Sequence, residues 1–237
     1  MTIKGKYLDQ QLSGAVIAFD LDGTLVDTAH DLIGTLNWLL ADQGLAPLPL
    51  AEARPFIGRG ARWMIERGFQ AADAPLAATQ VQPLFDRFID RYQDHIADES
   101  RPFPGCVAAL EALRDHGARL CVCTNKLTGL STRLLDALDL SRLFEAVIGS
   151  DATPAIKPDA RHIETAVSAC GGSLGRALMV GDAAPDAGAA RAAGVPLVLV
   201  SFGYTEIPAA ELAPDILIDH YDQLPGAAAR LLGACGP

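Results

Sequence analysis

Long apolar runs, paired cysteines and an excess of basic charge are all missing from this 237-residue sequence. No apolar stretch approaches the roughly 18–20 residues that cross a bilayer, so a membrane partner is not expected. The opening Met1-Thr2-Ile3-Lys4-Gly5-Lys6 carries no apolar signal segment. Five cysteines make an odd number, without Cys-x-x-Cys spacing. That pattern excludes a zinc framework or a disulfide scaffold as the expected organisation, and makes a reducing cytoplasm the expected setting. Cys121 and Cys123 alternate along one apolar segment, where a thiol serves as a small hydrophobe. Nineteen basic side chains against 29 acidic ones leave a formal charge of −10, and a nucleic-acid backbone finds no basic surface in such a balance. The five histidines are scattered without metal-ligand spacing. Internal repeats and low-complexity tracts are absent beyond a general richness in alanine.

What is present is ample apolar material. Half of the residues are hydrophobic and 20% are charged, enough for one large domain or two small ones. From residue 101 onward the chain alternates. Helical period covers Val107–His116, Leu130–Leu138, Asp159–Cys170 and Ala187–Ala193, and short β-branched runs cover Arg119–Thr124, Ala146–Gly149, Ala177–Val180, Pro196–Val200 and Asp215–Ile218. Strands separated by such helices predict βαβ units and a doubly wound, Rossmann-like parallel sheet. One earlier strand, Ala15–Phe19, belongs to the same pattern. Residues 28–100 break it: Leu32, Ile33, Leu36, Leu39 and Leu40 keep helical spacing, further helical stretches cover Arg62–Phe69 and Ala77–His95, and no strand is legible. The expected architecture is an α/β core of residues 1–27 and 101–237 with an all-helical insertion over 28–100, hinged near Asp27–Thr28 and Pro102–Pro104.

The strand Ala15–Phe19 runs directly into Asp20-Leu21-Asp22-Gly23-Thr24. Open α/β sheets place their chemistry at such carboxyl-terminal strand edges. A calcium loop does not fit, because Leu25 and Asp31 fill the positions where an EF-hand needs glycine and glutamate, and the glycine comes at the fourth place. Three more short patterns follow in order. The strand Arg119–Thr124 ends in Thr124-Asn125; Lys157-Pro158 opens a helical stretch; and Ala177–Val180 delivers Gly181-Asp182 with Asp186 four residues on. Asp186 also stands where it could start the next helix, as Asp27 could cap the helix over Thr28–Leu40.

Together these four patterns resemble the haloacid-dehalogenase-like hydrolases, and the helical insertion after the first pattern resembles the helical-capped phosphatase branch, phosphoglycolate phosphatases in particular. The resemblance implies a Mg2+-dependent phosphatase working through an aspartyl-phosphate. It implies Asp20 as nucleophile, Asp22 as general acid and base, and Thr124, Asn125 and Lys157 as phosphate-binding groups. Mg2+ would be held by Asp20, Asp182 and the main-chain carbonyl of Asp22, with Asp186 reaching it directly or through a water. An acidic protein of this kind needs such local cations to hold an anion against its own field. Specificity would come from the inserted segment, where Gly58-Arg59-Gly60 resembles a Gly-x-Gly stretch that often has Asn in the middle. Arg59 or Arg62 could fork onto a carboxylate. The partner implied is a small phosphorylated metabolite, most simply 2-phosphoglycolate, and the protein would be a monomer or homodimer. Sugar phosphates, an N-acetylmuramic acid phosphate and pyrophosphate stand as alternative substrates. A β-phosphoglucomutase fits less well, since Thr124-Asn125-Lys126 replaces its Ser-x-x-Lys. A phosphonoacetaldehyde hydrolase is excluded because residues 28–100 contain no lysine. A non-catalytic binding protein would have lost one of Asp20, Asp22, Lys157 or Asp182, and all four are intact.

Overall fold

The computed structural model describes residues 3–234; Met1, Thr2 and the fifth cysteine, Cys235, lie outside them. Helix α1 (Ile3–Leu12) leads into β1 (Val16–Phe19), and a two-residue strand β2 (Val26–Asp27) follows. The chain then turns helical through α2 (Ala29–Asp42), a short α3 (Leu50–Ala53) with a 3-10 turn over Arg54–Arg59, α4 (Ala61–Ala71) and α5 (Ala78–Asp94). It returns through β3 (Arg101–Pro102) to α6 (Cys106–Asp115), β4 (Arg119–Cys123), α7 (Thr128–Ala137), β5 (Ala146–Ile148), α8 (Ala160–Ala169), β6 (Ala177–Gly181), α9 (Ala184–Ala193), β7 (Leu197–Val200), β8 (Ile216–Ile218) and α10 (Leu224–Ala234).

Six strands form one sheet in the order β5-β4-β1-β6-β7-β8, with every pairing parallel. This is the expected doubly wound α/β core with an inserted helical layer. Strand alternation sorts the core onto two faces. Ile17, Phe19, Leu120, Val122, Leu178 and Val180 pack with α6, α10 and the inserted helices. Val16, Ala18, Cys121, Cys123 and Met179 pack on the alanine-rich faces of α8 and α9. Both thiols are unpaired and buried there, as the alternation predicts. No helix among the described residues is long and apolar enough to cross a membrane.

The order places a switch point at β1, from which the chain proceeds to β4 on one side and β6 on the other. Phe19 is in register with both Val122 and Val180, so Asp20, Thr124 and Asp182 emerge within two residues of one another along a common edge. That crevice is where a doubly wound sheet binds its ligand.

Two crossings join the inserted helices to the core, and they pair as the antiparallel ribbon of β2 with β3. Within the insertion the predicted stripe of α2 is buried, and Gly68 of α4 sits so close to Leu36 that a methyl group there would overlap it at 2.8 Å. The buried Asp31 carboxylate accepts from the Ser100 hydroxyl and the main-chain N–H groups of Glu99 and Ser100, fixing the exit to the entry.

One expectation is corrected here. Asp27 does not cap α2. The hydroxyl of Tyr204 accepts the N–H groups of Thr28 (2.8 Å) and Ala29 (3.2 Å) while donating to Asp27 Oδ1. A distant phenol thus satisfies the first donors of the helix, and Asp27 orients the phenol. Tyr204→Phe should therefore cost about 1–2 kcal/mol, the range of a lost helix cap. Urea denaturation of the two proteins measures it, and an unchanged midpoint would show that the phenol bears no part of the hinge.

Candidate active site

The edge brings the predicted acids and cations together. Lys157 Nζ lies 2.8 Å from Asp20 Oδ1 and 2.7 Å from Asp186 Oδ1, and the lysine is only 2% exposed. Its loop is held by main-chain bonds. The Lys157 N–H donates to Asn125 Oδ1 and to His162 Nδ1, and Asn125 Nδ2 returns a bond to the Lys157 carbonyl. The buried His162 uses its other ring nitrogen on the Ile148 carbonyl. Burial lowers the pKa of that imidazole to about 4, so it stays neutral as a spacer under the loop.

Asp182 and Asp186 follow β6. Asp186 is not the N-cap of α9, a place taken by Ala183; from the third position of the helix its Oδ2 accepts the N–H groups of Asp182 and Ala183, while Oδ1 faces Lys157. Asp182 Oδ1 accepts from the Thr24 hydroxyl and Oδ2 from the Tyr204 N–H. Asp20, Asp182 and Asp186 each offer an oxygen to a common point, all within 4.8 Å of one another and all buried. Burial raises the pKa of Asp20 to about 6, with Lys157 pulling it down and Asp186 and Asp22 pushing it up. Burial and then the Asp186 and Asp20 charges hold Asp182 well above the usual carboxylate range. Lys157 also suffers from burial, yet Asp186 and Asp20 more than offset it and keep the ammonium charged.

The side chain of Asp22 stands apart from this cluster. Both of its oxygens accept from Lys126 Nζ, at 2.9 and 3.1 Å. Only its main-chain carbonyl is therefore left for the role foreseen at the metal. Thr124 Oγ1 accepts the Lys126 N–H and sits at the floor of the crevice with Asp20. The inserted helices cover that floor. Asn125 Nδ2 reaches the Gly58 carbonyl at 3.5 Å, and a methyl group at Gly60, whose φ is +89°, would meet the Asn125 carbonyl at 3.2 Å. Gly58 and Gly60 thus let the turn before α4 close on the core. Arg59 and Arg62 are exposed, one over the Trp63 ring and the other over Phe85 with a bond to Gln82. Between core and insertion lies a cavity of about 520 Å³, lined by Asp20, Asp22, Thr124, Asn125, Lys126, Tyr92 and the apolar side chains of α4 and α5.

Sequence reasoning missed Lys126, Tyr204, His162 and Tyr92. Lys126 carried a signal, being the third residue of Thr124-Asn125-Lys126 at a strand end. Tyr204 carried one too, since Ser201-Phe202-Gly203-Tyr204 after a strand resembles the phosphoglycolate phosphatases, whereas His162 and Tyr92 become visible only through partners distant in sequence.

Comparisons with known proteins agree on one group. A family model described as haloacid dehalogenase-like hydrolase matches residues 17–200. A phosphoglycolate phosphatase of Caulobacter vibrioides is 58% identical over 224 residues, covering 94% of each chain. One of Agrobacterium fabrum is 46% identical, covering 87% of this chain and 88% of its own. Among solved structures, a predicted phosphoglycolate phosphatase from Haemophilus somnus aligns with a TM-score of 0.84 at 30% identity, over 91% of this chain and 98% of that one.

Proposed function

The chain belongs to the haloacid dehalogenase-like hydrolases, and on that premise we propose that it hydrolyses phosphate monoesters, 2-phosphoglycolate foremost, with Asp20 as nucleophile. The observation that carries this reading is the pairing of two neighbouring carboxylates with different lysines. Asp20 lies against Lys157 and the acidic cluster, Asp22 against Lys126 on the cavity side. Two acids so differently placed suit two roles.

An Asp20 oxygen attacks phosphorus in line, forming an acyl phosphate as the bond from phosphorus to the glycolate oxygen breaks. Asp22 gives its proton to that oxygen. Water then attacks phosphorus, its proton goes to Asp22, and the bond to Asp20 breaks to release phosphate. Thr124 Oγ1, the Asn125 N–H and Lys157 would donate to the phosphoryl oxygens, where charge accumulates. Gly58 and Gly60 hold the insertion over the reacting groups, and Arg59 supplies positive charge at the cavity mouth.

The residues also fit Mg2+. Three buried carboxylates face one ammonium, so ionising all three leaves two negative charges for a cation to compensate and a set of hard oxygen donors. Asp20, Asp182 and Asp186 would hold the ion, with the Asp22 carbonyl. When bound, Mg2+ supplies positive charge to the phosphoryl oxygens and to the carboxylates drawn up beside them.

The substrate is tested by kcat/KM with Mg2+ across 2-phosphoglycolate, sugar phosphates, an N-acetylmuramic acid phosphate and pyrophosphate. A preference for 2-phosphoglycolate of about a hundredfold, roughly 2.7 kcal/mol, is expected. A flat profile or a sugar phosphate at the top removes phosphoglycolate and keeps the phosphatase chemistry. Absence of turnover with every ester removes the chemistry as well.

A further inference from the structure

We propose that Lys126 and Tyr92 form the carboxylate-binding end of the cavity and so determine which phosphate ester is accepted; the inference rests on the phosphoglycolate reading above. Tyr92 stands near the end of α5, in the inserted layer, and is fully buried. Its ring lines the cavity, and its hydroxyl lies against the Lys126 ammonium, which can only donate to it, so the phenol's own proton has no acceptor. A buried phenol normally finds one. Burial pushes its pKa up to about 12, with Lys126 working the other way, so the hydroxyl keeps its proton and is available as a donor.

The ammonium of Lys126 lies 4.6 Å from the centre of the same ring. It is 9% exposed and makes its two short contacts with Asp22. An ammonium carries three donors and no acceptor, so it can hold a second anion beside the first. The two groups therefore present an ammonium and a phenol O–H to one place, and both favour a carboxylate.

That place is at the right distance from the chemistry. The leaving oxygen of the substrate must come within hydrogen-bond reach of Asp22, and Lys126 Nζ is 2.9 Å from the same carboxylate. In a phosphorylated two-carbon hydroxy acid, the ester oxygen and the carboxylate oxygens are separated by two carbons, roughly 3 Å. A substrate with its ester oxygen at Asp22 thus sets its carboxylate against Lys126 and Tyr92. The exposed cations Arg59 and Arg62 are occupied instead with Trp63, Phe85 and Gln82 at the mouth of the cavity. They are suited to drawing an anion in, and the inner pair to reading it. Since Lys126 belongs to the core and Tyr92 to the insertion, a bound carboxylate would also tie the two layers together.

The test compares 2-phosphoglycolate with ethyl phosphate, which keeps the two carbons and lacks the carboxylate, in wild type, Tyr92→Phe, Lys126→Met and Arg59→Ala, all with Mg2+. Wild type is expected to prefer 2-phosphoglycolate. In Tyr92→Phe, which removes only the hydroxyl, kcat/KM should fall about tenfold more for 2-phosphoglycolate than for ethyl phosphate, with the difference in KM. Lys126→Met should lose activity on both esters, because Asp22 loses its partner, and should also collapse the ratio between them. Equal losses on both esters in Tyr92→Phe and Lys126→Met would overturn the proposal and leave the phosphoglycolate reading standing. A ratio that collapses in Arg59→Ala and survives in Tyr92→Phe would overturn it in favour of the cavity mouth. A wild type without preference would remove the underlying substrate reading, and this inference with it.

Discussion

Asp20→Asn should leave a folded protein whose kcat on 2-phosphoglycolate is lower by about four to six orders of magnitude, the scale seen when a nucleophile is removed from a covalent mechanism. The amide cannot form an acyl phosphate, and neither Asp22 nor Asp186 stands in its place at the end of β1. Stability separates this loss from misfolding, and the sign follows from the pKa. An unfolded Asp titrates at its ordinary value of 3.8, whereas Asp20 in the fold is raised to about 6. The folded state thus binds the proton more tightly. In the absence of metal, ionising Asp20 costs stability as pH rises from about 4 to about 6, and the cost is fully present above that window. The asparagine variant is spared it. Without Mg2+ at pH 7.5, its melting temperature should equal or exceed that of wild type. Activity within tenfold of wild type would sink Asp20 as nucleophile. A large fall in melting temperature would instead point to a structural role.

The sites visible in the sequence are those that depend on short range. Asp20, Thr124 and Asp182 each end an apolar strand, and parallel register carries all three to one edge without further information. The stripe of α2 was equally legible, because its period alone decides which face is buried. What escaped depends on partners brought in by the fold. Asp27 looked like a helix cap because it precedes α2, but a phenol 177 residues away takes that position. Lys126 reads as one more lysine until the fold sets it against Asp22, 104 residues earlier. Tyr92 has the spacing of an ordinary core aromatic on α5, and only the Lys126 ammonium brought against it by the fold distinguishes it. Helices α1 and α10 were not anticipated either. They pack on each other at the two ends of the described chain, and the weak amphipathic pattern of α1 gave no signal of its own.

Lys157→Met is expected to damage both stability and turnover, and the two effects share one cause. The ammonium is nearly inaccessible and bonded to two carboxylates, with Asp182 close beside them. Removing one partner of a buried ion pair costs about 3–5 kcal/mol, because the remaining charge is left uncompensated. For a chain of this size that lowers the melting temperature by roughly 10 °C. The loss has a pH signature. Folding raises the pKa of Lys157 above its ordinary value of 10.5, so in wild type its contribution is fully present across the neutral range and is lost only at strongly alkaline pH. In the variant, the carboxylates face each other without the cation, and the pKa values of Asp20 and Asp182, already raised, move further up. The defect should therefore be largest near pH 7.5, shrink toward pH 5.5 as protons replace the ammonium, and shrink again when Mg2+ is added at pH 7.5. Turnover should not return with stability. In the proposed mechanism the ammonium meets the phosphoryl oxygens as charge develops there, and the loss of one such donor costs about a hundred- to a thousandfold in kcat. Thermal melts at the two pH values, with and without Mg2+, and kcat measured where the variant is folded, check both halves. A variant as stable as wild type at pH 7.5 without metal would mean that the three acids do not depend on Lys157 for compensation. A stable and active one would remove Lys157 from the site.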